Sequence, residues 1–168
     1  MAAPRDGTAQ QLARGVGRLL RHMGYDSLTE FTLRSGRRAD VAGIDRKGKI
    51  VIAEIKISAA DFRADQKWPE YMDFCDLFYF AVPLDFPVEI LPDESGLILA
   101  DAYSGDIARP SQKNPNPLHA SRRREVTLRF ARAAAKRLRR WEDPVPCPIV
   151  VWPADKAYCD AVDVKGGI

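Results

Sequence analysis

The sequence predicts one α/β domain in which a central mixed sheet is flanked by helices. The chain has 168 residues, of which 46% are apolar, and this is enough for a single hydrophobic core. Apolar residues recur at helical spacing over residues 10–23 and then at every second position over residues 28–58, a change from the helical to the strand period. Two further apolar runs, at 77–83 and 96–102, have the length of buried strands.

The polar character of the chain predicts a cytoplasmic protein without a membrane partner. The apolar run at residues 50–57 is interrupted by charge and is far shorter than the roughly 20 residues that cross a bilayer. The N-terminal segment is polar where a signal peptide would be apolar. Three cysteines without zinc-ligand spacing and only two histidines argue against a zinc site or a histidine-based catalytic centre.

A first helix and three strands are expected before residue 60. Leucine and valine side chains lie on one side of the helical segment and arginines on the other, and Gly24 ends the helix. The period of two that follows predicts the strands. Their expected ranges are 28–34, 38–45 and 49–58.

The loops between these strands predict the register of two hairpins. Each loop has three residues and includes a glycine, which pairs Arg34 with Arg38 and Asp45 with Lys49. Odd-numbered residues then share a wholly apolar face that should pack against helices, and even-numbered residues share a mixed face. The odd face comprises Phe31, Leu33, Ala39, Val41, Val51, Ala53, Ile55 and Ile57. The charged residues of the even face are Glu30, Asp40, Glu54 and Lys56.

The segment after the third strand is expected to be a helix. Ser58 and Asp61 have the spacing of a capping box, so the helix should begin there and run toward Lys67, with Pro69 as its limit. Further along, residues 109–117 are rich in proline and asparagine and are expected to form a loop.

The even face brings two acidic residues together. In the predicted register Asp40 lies opposite Glu54, with Cβ atoms about 4.5–5.5 Å apart. Two adjacent carboxylates repel each other unless a hard cation lies between them, and Mg²⁺, or Mn²⁺ in its place, suits such a pair. Lys56 points into the same space, where its ammonium could orient water or stabilise charge on a phosphate, so the set suits phosphodiester hydrolysis. The alternative is a structural ion pair between Lys56 and a neighbouring carboxylate.

The segment RADVAGIDRKGKIVIAEIK resembles the signature of PD-(D/E)XK nucleases, in which an acidic residue is followed after 13 residues by Glu-x-Lys, here Asp40 and then Glu54 and Lys56. Ala39 departs from it by replacing the proline. More narrowly, residues 7–140 resemble the MmcB family of bacterial DNA-repair proteins through SGRRAD, AEIKIS, DFRADQKWPEY and CDLFYFAVP. The resemblance implies a restriction-endonuclease-like domain and a DNA-repair endonuclease. It also implies association with the nucleoid when the protein acts, and it leaves room for other DNA-repair proteins as partners.

The resemblance also suggests auxiliary site residues. Glu30 would be a further ligand of the metal or of a water, unless it forms a salt bridge to Arg34 or Arg38. In these nucleases a polar helix lies beside the metal, and the helix after the third strand would correspond to it here. Without the resemblance, its polar residues would be interpreted as a solvent-exposed face. The residues concerned are Asp61, Gln66, Lys67 and Tyr71.

The last helix is expected to begin with Ser121 as its N-cap and to reach about residue 141. The nuclease-like domain would then occupy residues 1–141, followed by a tail of unknown structure at 142–168. Between residues 122 and 140 the helix has nine basic residues and one acid. The apolar stripe expected to dock on the domain consists of Leu128, Ala131, Ala135 and Leu138. The candidate DNA-binding residues are Arg122, Arg123, Arg124, Arg129, Arg132, Lys136 and Arg137.

Other functions remain open at this stage. A basic helix can also lie on an anionic membrane or simply be solvated, although the alanine-rich stripe argues against membrane insertion. The rival to a nuclease is a catalytically silent DNA-binding or scaffold protein of a DNA-damage response complex. An RNA-processing nuclease is a third possibility, because a metal and two carboxylates act on either backbone.

Overall fold

The computed structural model describes the backbone of residues 5–65 and 67–144 and the side chains from residue 9 onward in these ranges. The helices are α1 (Arg5–His22), α2 (Ala59–Ala64) and α3 (Ala120–Glu142), with 3₁₀ helices at Trp68–Phe74 and Val88–Ile90. The strands are β1 (Tyr25–Thr32), β2 (Arg38–Asp45), β3 (Ile50–Ile55), β4 (Leu77–Val82), β5 (Gly96–Ala100) and β6 (Gly105–Arg109). Gln66 and residues 145–168 of the expected tail lie outside the described residues.

The six strands form one mixed sheet in the order β1-β2-β3-β4-β5-β6. The central pairs, β3 with β4 and β4 with β5, are parallel, and the outer pairs are antiparallel. α1 packs on one face through Val16 and Leu20, and the other face is covered by α3 and the 3₁₀ helix through Val126 and Phe74. The expected α/β domain with a mixed, helix-flanked sheet is confirmed. Among the described helices, none combines the length and apolar character needed to span a membrane.

The second hairpin has the predicted register, whereas the first is shifted. Asp45 N–H donates to the Lys49 carbonyl at 3.0 Å, as expected. In the first hairpin Leu33 N–H donates to the Arg37 carbonyl at 2.7 Å, so the loop is 34–36, and the pairing of Arg34 with Arg38 was wrong. The reason is the glycine: Gly36 has a φ of 86° and takes the last loop position, the one that requires a left-handed backbone.

The odd-numbered residues of the first three strands do not all lie on one face of the sheet. Val41 and Val51 contribute to the core beneath α1, but Phe31 and Ala39 contribute to the core on the α3 side, as does Leu33. The change occurs at Glu30, whose φ of 50° is left-handed and interrupts the alternation that an extended strand imposes. The prediction of a single odd face was therefore wrong beyond this residue.

Several elements also differ from expectation. Ser58 caps α2 by accepting from Asp61 N–H at 3.2 Å, as predicted, but the helix ends at Ala64 instead of continuing toward Lys67. The N-cap of α3 is His119 rather than Ser121. β6 was not expected, because most of its residues are exposed and it shows little apolar alternation, as an edge strand can.

Candidate functional site

The candidate site lies where the pairing of β2 and β3 ends. The last ladder pair is Val41 with Ala53, and Asp40 and Glu54 follow it. Asp40 N–H donates to Glu54 Oε1 at 3.2 Å, and Ile55 N–H donates to Asp40 Oδ2 at 2.8 Å. Each carboxylate is thus held by a backbone N–H from the other strand, which brings the two predicted acids together.

Glu30 explains why the backbone of Asp40 is available for this contact. β1 and β2 pair at Thr29–Val41 and again at Phe31–Ala39, but Glu30, with its left-handed backbone, is not paired between them. The Glu30 side chain forms a salt bridge to Arg38 at 2.8 Å, and both side chains are more than half exposed. The salt bridge to Arg38, one of the two roles predicted for Glu30, is therefore present.

Burial dominates the electrostatics of the two acids. Glu54 is 3% exposed, and burial together with the negative charge of Asp40 raises its pKa to about 8. Burial also raises the pKa of Asp40, although the N–H of Ile55 and the ammonium of Lys56 oppose this shift. Dehydrated carboxyl groups of this kind bind either a proton or a cation, and their oxygens are the ligands that Mg²⁺ prefers. Among the side chains of residues 9–65 and 67–144, no group of three or more acids, histidines or cysteines is arranged to hold a metal.

Lys56 is also buried and already has a partner. Its side chain is 5% exposed, and Nζ lies 2.7 Å from Asp65 Oδ2. Burial alone would raise the pKa of Asp65, but hydrogen bonds from Lys56 and from Lys67 N–H hold it below its ordinary value. The ion pair considered as the alternative role of Lys56 is therefore present.

The sequence interpretation missed Asp65. It follows the last residue of α2 and has an extended backbone, which directs its carboxylate to Lys56. No spacing in the sequence indicates this contact, because Asp65 lies beyond the end of α2 and its extended backbone, not helical geometry, places the carboxylate.

The expected auxiliary residues have different positions. Tyr71 is 3% exposed, its hydroxyl donates to the Arg38 carbonyl at 3.1 Å, and burial followed by the charge of Glu54 raises its pKa. Tyr71 therefore belongs to the site. Asp61 accepts from Ile57 N–H at 3.2 Å at the start of α2, and the side chain of Lys67 is exposed.

α3 docks by a different arc from the one predicted. Val126 is 2% exposed, and the ring of Phe130 lies 5.6 Å from that of Phe31. Leu128 and Leu138 are instead 50% and 57% exposed, and Ala131 and Ala135 are also exposed. The expected docking stripe was therefore wrong.

Several arginines hold α3 on the domain, which explains the choice of arc. Arg123 donates to both carboxylate oxygens of Asp76 and to the Gly48 carbonyl, each at 2.7 Å. Arg137 donates to the carbonyls of Thr29 and Glu30. Arg122 donates to the Asp73 carbonyl at 3.3 Å and stacks over the Phe74 ring at 4.7 Å.

The remaining candidate DNA-binding residues point away from such partners. Arg129 pairs with Glu125 in the preceding turn, at 3.3 Å. In the described part of the chain, Arg124, Arg132 and Lys136 have no hydrogen bond or ion pair. We define the basic arc of α3 as Arg124, Arg129, Arg132 and Lys136.

Comparison with known proteins gives a family and a fold. A family model described as "DNA repair protein MmcB-like" matches residues 2–145. A solved structure of a protein of unknown function from Silicibacter pomeroyi is 44% identical, with a TM-score of 0.79 over 85% of this chain and 97% of that one. No curated protein matches this chain.

Proposed function

This chain belongs to the MmcB-like family of DNA repair proteins, and from that premise we propose that it hydrolyses DNA phosphodiester bonds with a divalent metal. The observation that carries the proposal is the pair of dehydrated carboxyl groups, Asp40 on β2 and Glu54 on β3, where the pairing of these strands ends. Burial of two adjacent acids is unfavourable unless a proton or a cation compensates it. A structural role alone gives no reason to retain both.

Asp40 and Glu54 would hold Mg²⁺ or Mn²⁺. When bound, such an ion supplies positive charge at the phosphate and lowers the pKa of a water molecule. The hydrogen bonds from Ile55 N–H to Asp40 and from Asp40 N–H to Glu54 fix the two carboxylates before substrate arrives. Fixed ligands need little reorganisation during the reaction.

Lys56 would stabilise negative charge on the phosphate in the transition state. Its ammonium has three donors, and Asp65 accepts from it at 2.7 Å, so donors remain for a phosphate oxygen. Asp65 is then a positioning residue, because it holds the ammonium without contacting the substrate. The buried ring of Tyr71, whose hydroxyl interacts with Glu54, would exclude water from that side of the site.

The basic arc of α3 would bind the DNA backbone. Within the described residues, Arg129 pairs with Glu125 on the same helix and the other side chains of the arc have no partner. Contacts from such side chains to phosphates position a nucleic acid without reading its sequence.

A catalytically silent DNA-binding or scaffold protein is the second candidate. The Lys56–Asp65 ion pair favours it, because it gives Lys56 a structural role without any substrate.

One set of variants separates the two candidates. The test compares the wild type with Asp40→Asn, Glu54→Gln and Lys56→Ala. Each protein is incubated with Mg²⁺ or Mn²⁺ and single-stranded, duplex, nicked, flapped and branched DNA, with RNA as a further arm. Calorimetric titration with Mg²⁺ and thermal melts accompany the cleavage assays. We expect Glu54→Gln to lose metal binding and cleavage while still folding, and Lys56→Ala to keep metal binding but cleave about 10²–10³ times more slowly.

Asp106→Asn serves as the control, since Asp106 is an exposed acid on β6. It should match the wild type in every assay. If the wild type binds no divalent metal and Asp40→Asn melts well below it, the two acids have a structural role. That result would favour the scaffold protein.

A further inference from the structure

A cleft adjoins Asp40 on the side of α1. Its volume is about 440 Å³, and its lining combines the N-terminal half of α1 with the kinked end of β1 and the ends of β2 and β3. Residues of the lining include Gln10, Ala13, Arg14, Thr29, Asp40 and Ile55. One of the two proposed metal ligands thus faces a concave space that α1 forms with the sheet.

Arg14 is the side chain in this cleft suited to a phosphate. It is exposed and, in the described part of the chain, has neither an ion pair nor a hydrogen bond. Arg18, one turn further on, is instead bound to the carbonyls of Ala102 and Tyr103 at 2.7 and 3.1 Å. The small side chain of Ala13 leaves space beside Arg14, and Gln10 adds an amide at the same opening. Glu30, the other acid of the lining, is already neutralised by Arg38.

The depth of the catalytic side chains limits what can reach them. Glu54 and Lys56 are 3% and 4% exposed, so they do not project from the surface. A cleft of this size encloses a unit of small-molecule dimensions, such as a nucleotide, rather than a rigid duplex. An unpaired strand bends freely and can follow such a cleft.

We propose that this cleft binds one unpaired DNA strand, with Arg14 holding a backbone phosphate next to Asp40. The inference deepens the proposed function and rests on it in placing the scissile bond at Asp40. It predicts that substrates with a single-stranded segment are preferred to intact duplex.

The test measures binding without requiring cleavage. Full-length protein is titrated in EDTA with a single-stranded oligonucleotide and with a blunt duplex, over a range of salt concentrations. Arg14→Ala should weaken single-strand binding roughly tenfold, because a charge-assisted contact is lost, and lower the log-log salt slope by about 0.7. Duplex affinity should change less than twofold. Arg14→Lys, which retains the charge, should recover part of the single-strand affinity.

Arg21→Ala is the matched control. Arg21 is an exposed arginine on the same side of α1, two turns from Arg14, and lacks a partner within the described residues. The inference would be overturned if Arg14→Ala left single-strand binding unchanged. It would also be overturned if Arg14→Ala and Arg21→Ala weakened that binding equally. Equal losses for single strand and duplex, or a wild type that does not bind single strands, would overturn it as well.

The outcome is separable from that of the proposed hydrolysis. A protein that binds no metal and cleaves nothing, yet binds single strands through Arg14, would refute hydrolysis and support the cleft. A protein that cleaves flapped DNA with an unchanged KM after Arg14→Ala would support hydrolysis and refute the cleft.

Discussion

At Glu54, burial and the negative charge of Asp40 act on the pKa in the same direction. Both raise its pKa, from 4.5 to about 8. The unfolded chain releases this proton near the lower value, so the folded protein binds more protons between the two values. Stability that is present below pH 4.5 is therefore lost as the pH rises toward 8.

Glu54→Gln should remove this pH dependence. In EDTA, wild-type stability should fall between about pH 5 and pH 8.5, and the variant should exceed it at the upper end by on the order of 1–4 kcal/mol. Urea denaturation at several pH values measures the difference, with the exposed Glu94→Gln as control. Added Mg²⁺ should stabilise the wild type and not the variant. A variant less stable than the wild type at pH 8.5 would mean that the carboxylate has a stabilising partner.

The neighbours of Glu54 were predictable to different degrees. The position of Asp40 opposite Glu54 follows from loop length, because Gly48 occupies the last loop position and fixes the register. The contact of Lys56 with Asp65 does not follow, because it depends on α2 ending at Ala64, which the apolar pattern did not indicate.

At the scale of the element, α3 has two candidate docking arcs. One arc contains Leu128 and Leu138, and its apolar spacing favours docking. The other arc contains Val126 and Phe130. The second is used because its arginines reach Asp76 and the β1 carbonyls, and their aliphatic stems can lie on the domain. Such partners come from distant parts of the chain, so helical periodicity could not identify them.

Substitutions in the two arcs should have unequal effects on stability. Leu128→Ser and Leu138→Ser should each change the free energy of unfolding by less than about 0.5 kcal/mol, because both side chains are at least half exposed. Val126→Ala should lower it by about 1–3 kcal/mol, since Val126 is buried. Urea denaturation of the three variants compares them. If the leucine variants lost more free energy of unfolding than Val126→Ala, the surface around Leu128 and Leu138 would be covered in solution.

A separate prediction concerns the affinity of the basic arc for DNA. Replacing Arg129, Arg132 and Lys136 with alanine should weaken duplex binding, and each lost phosphate contact should lower the log-log salt slope by up to about 0.9. Fluorescence anisotropy over a salt series measures both quantities.

A charge-matched triple variant controls for net charge. Arg21, Arg46 and Lys47 are exposed and lie on α1 and on the loop between β2 and β3. If their replacement weakened binding as much as replacement of the arc, overall charge rather than α3 would determine affinity.

At the scale of the whole molecule, α1 connects the start of the sheet with its far edge. Gly15 allows the helix backbone to approach the turn between β5 and β6, where an added Cβ would lie 2.2 Å from the Asp101 carbonyl oxygen. Arg18 binds two carbonyls of the same turn. The first five strands of the mixed sheet were predictable in outline from alternating and continuous apolar runs, but this contact required knowledge of β6, whose exposed residues give little signal.

Two glycines of α1 provide a matched test of this contact. Gly15→Ala should destabilise the protein strongly, because the new methyl group meets backbone that cannot move aside. At Gly17 an added Cβ would lie 3.5 Å from Ser27 Oγ, an ordinary contact, so Gly17→Ala should be neutral or stabilise by up to about 1 kcal/mol. Thermal melts compare the two. Equal melting temperatures would show that α1 shifts away from the turn.

The contact between α1 and the β5–β6 turn also bears on the order of folding. Arg18 and Tyr103 are separated by 85 positions, whereas the β2–β3 hairpin that carries Asp40 and Glu54 closes between near neighbours. Loop-closure entropy makes the long connection slow to form, so the hairpin should already be present in the folding transition state when α1 reaches that turn. Gly15→Ala should then accelerate unfolding and leave the refolding rate nearly unchanged, the signature of an interaction formed after the barrier.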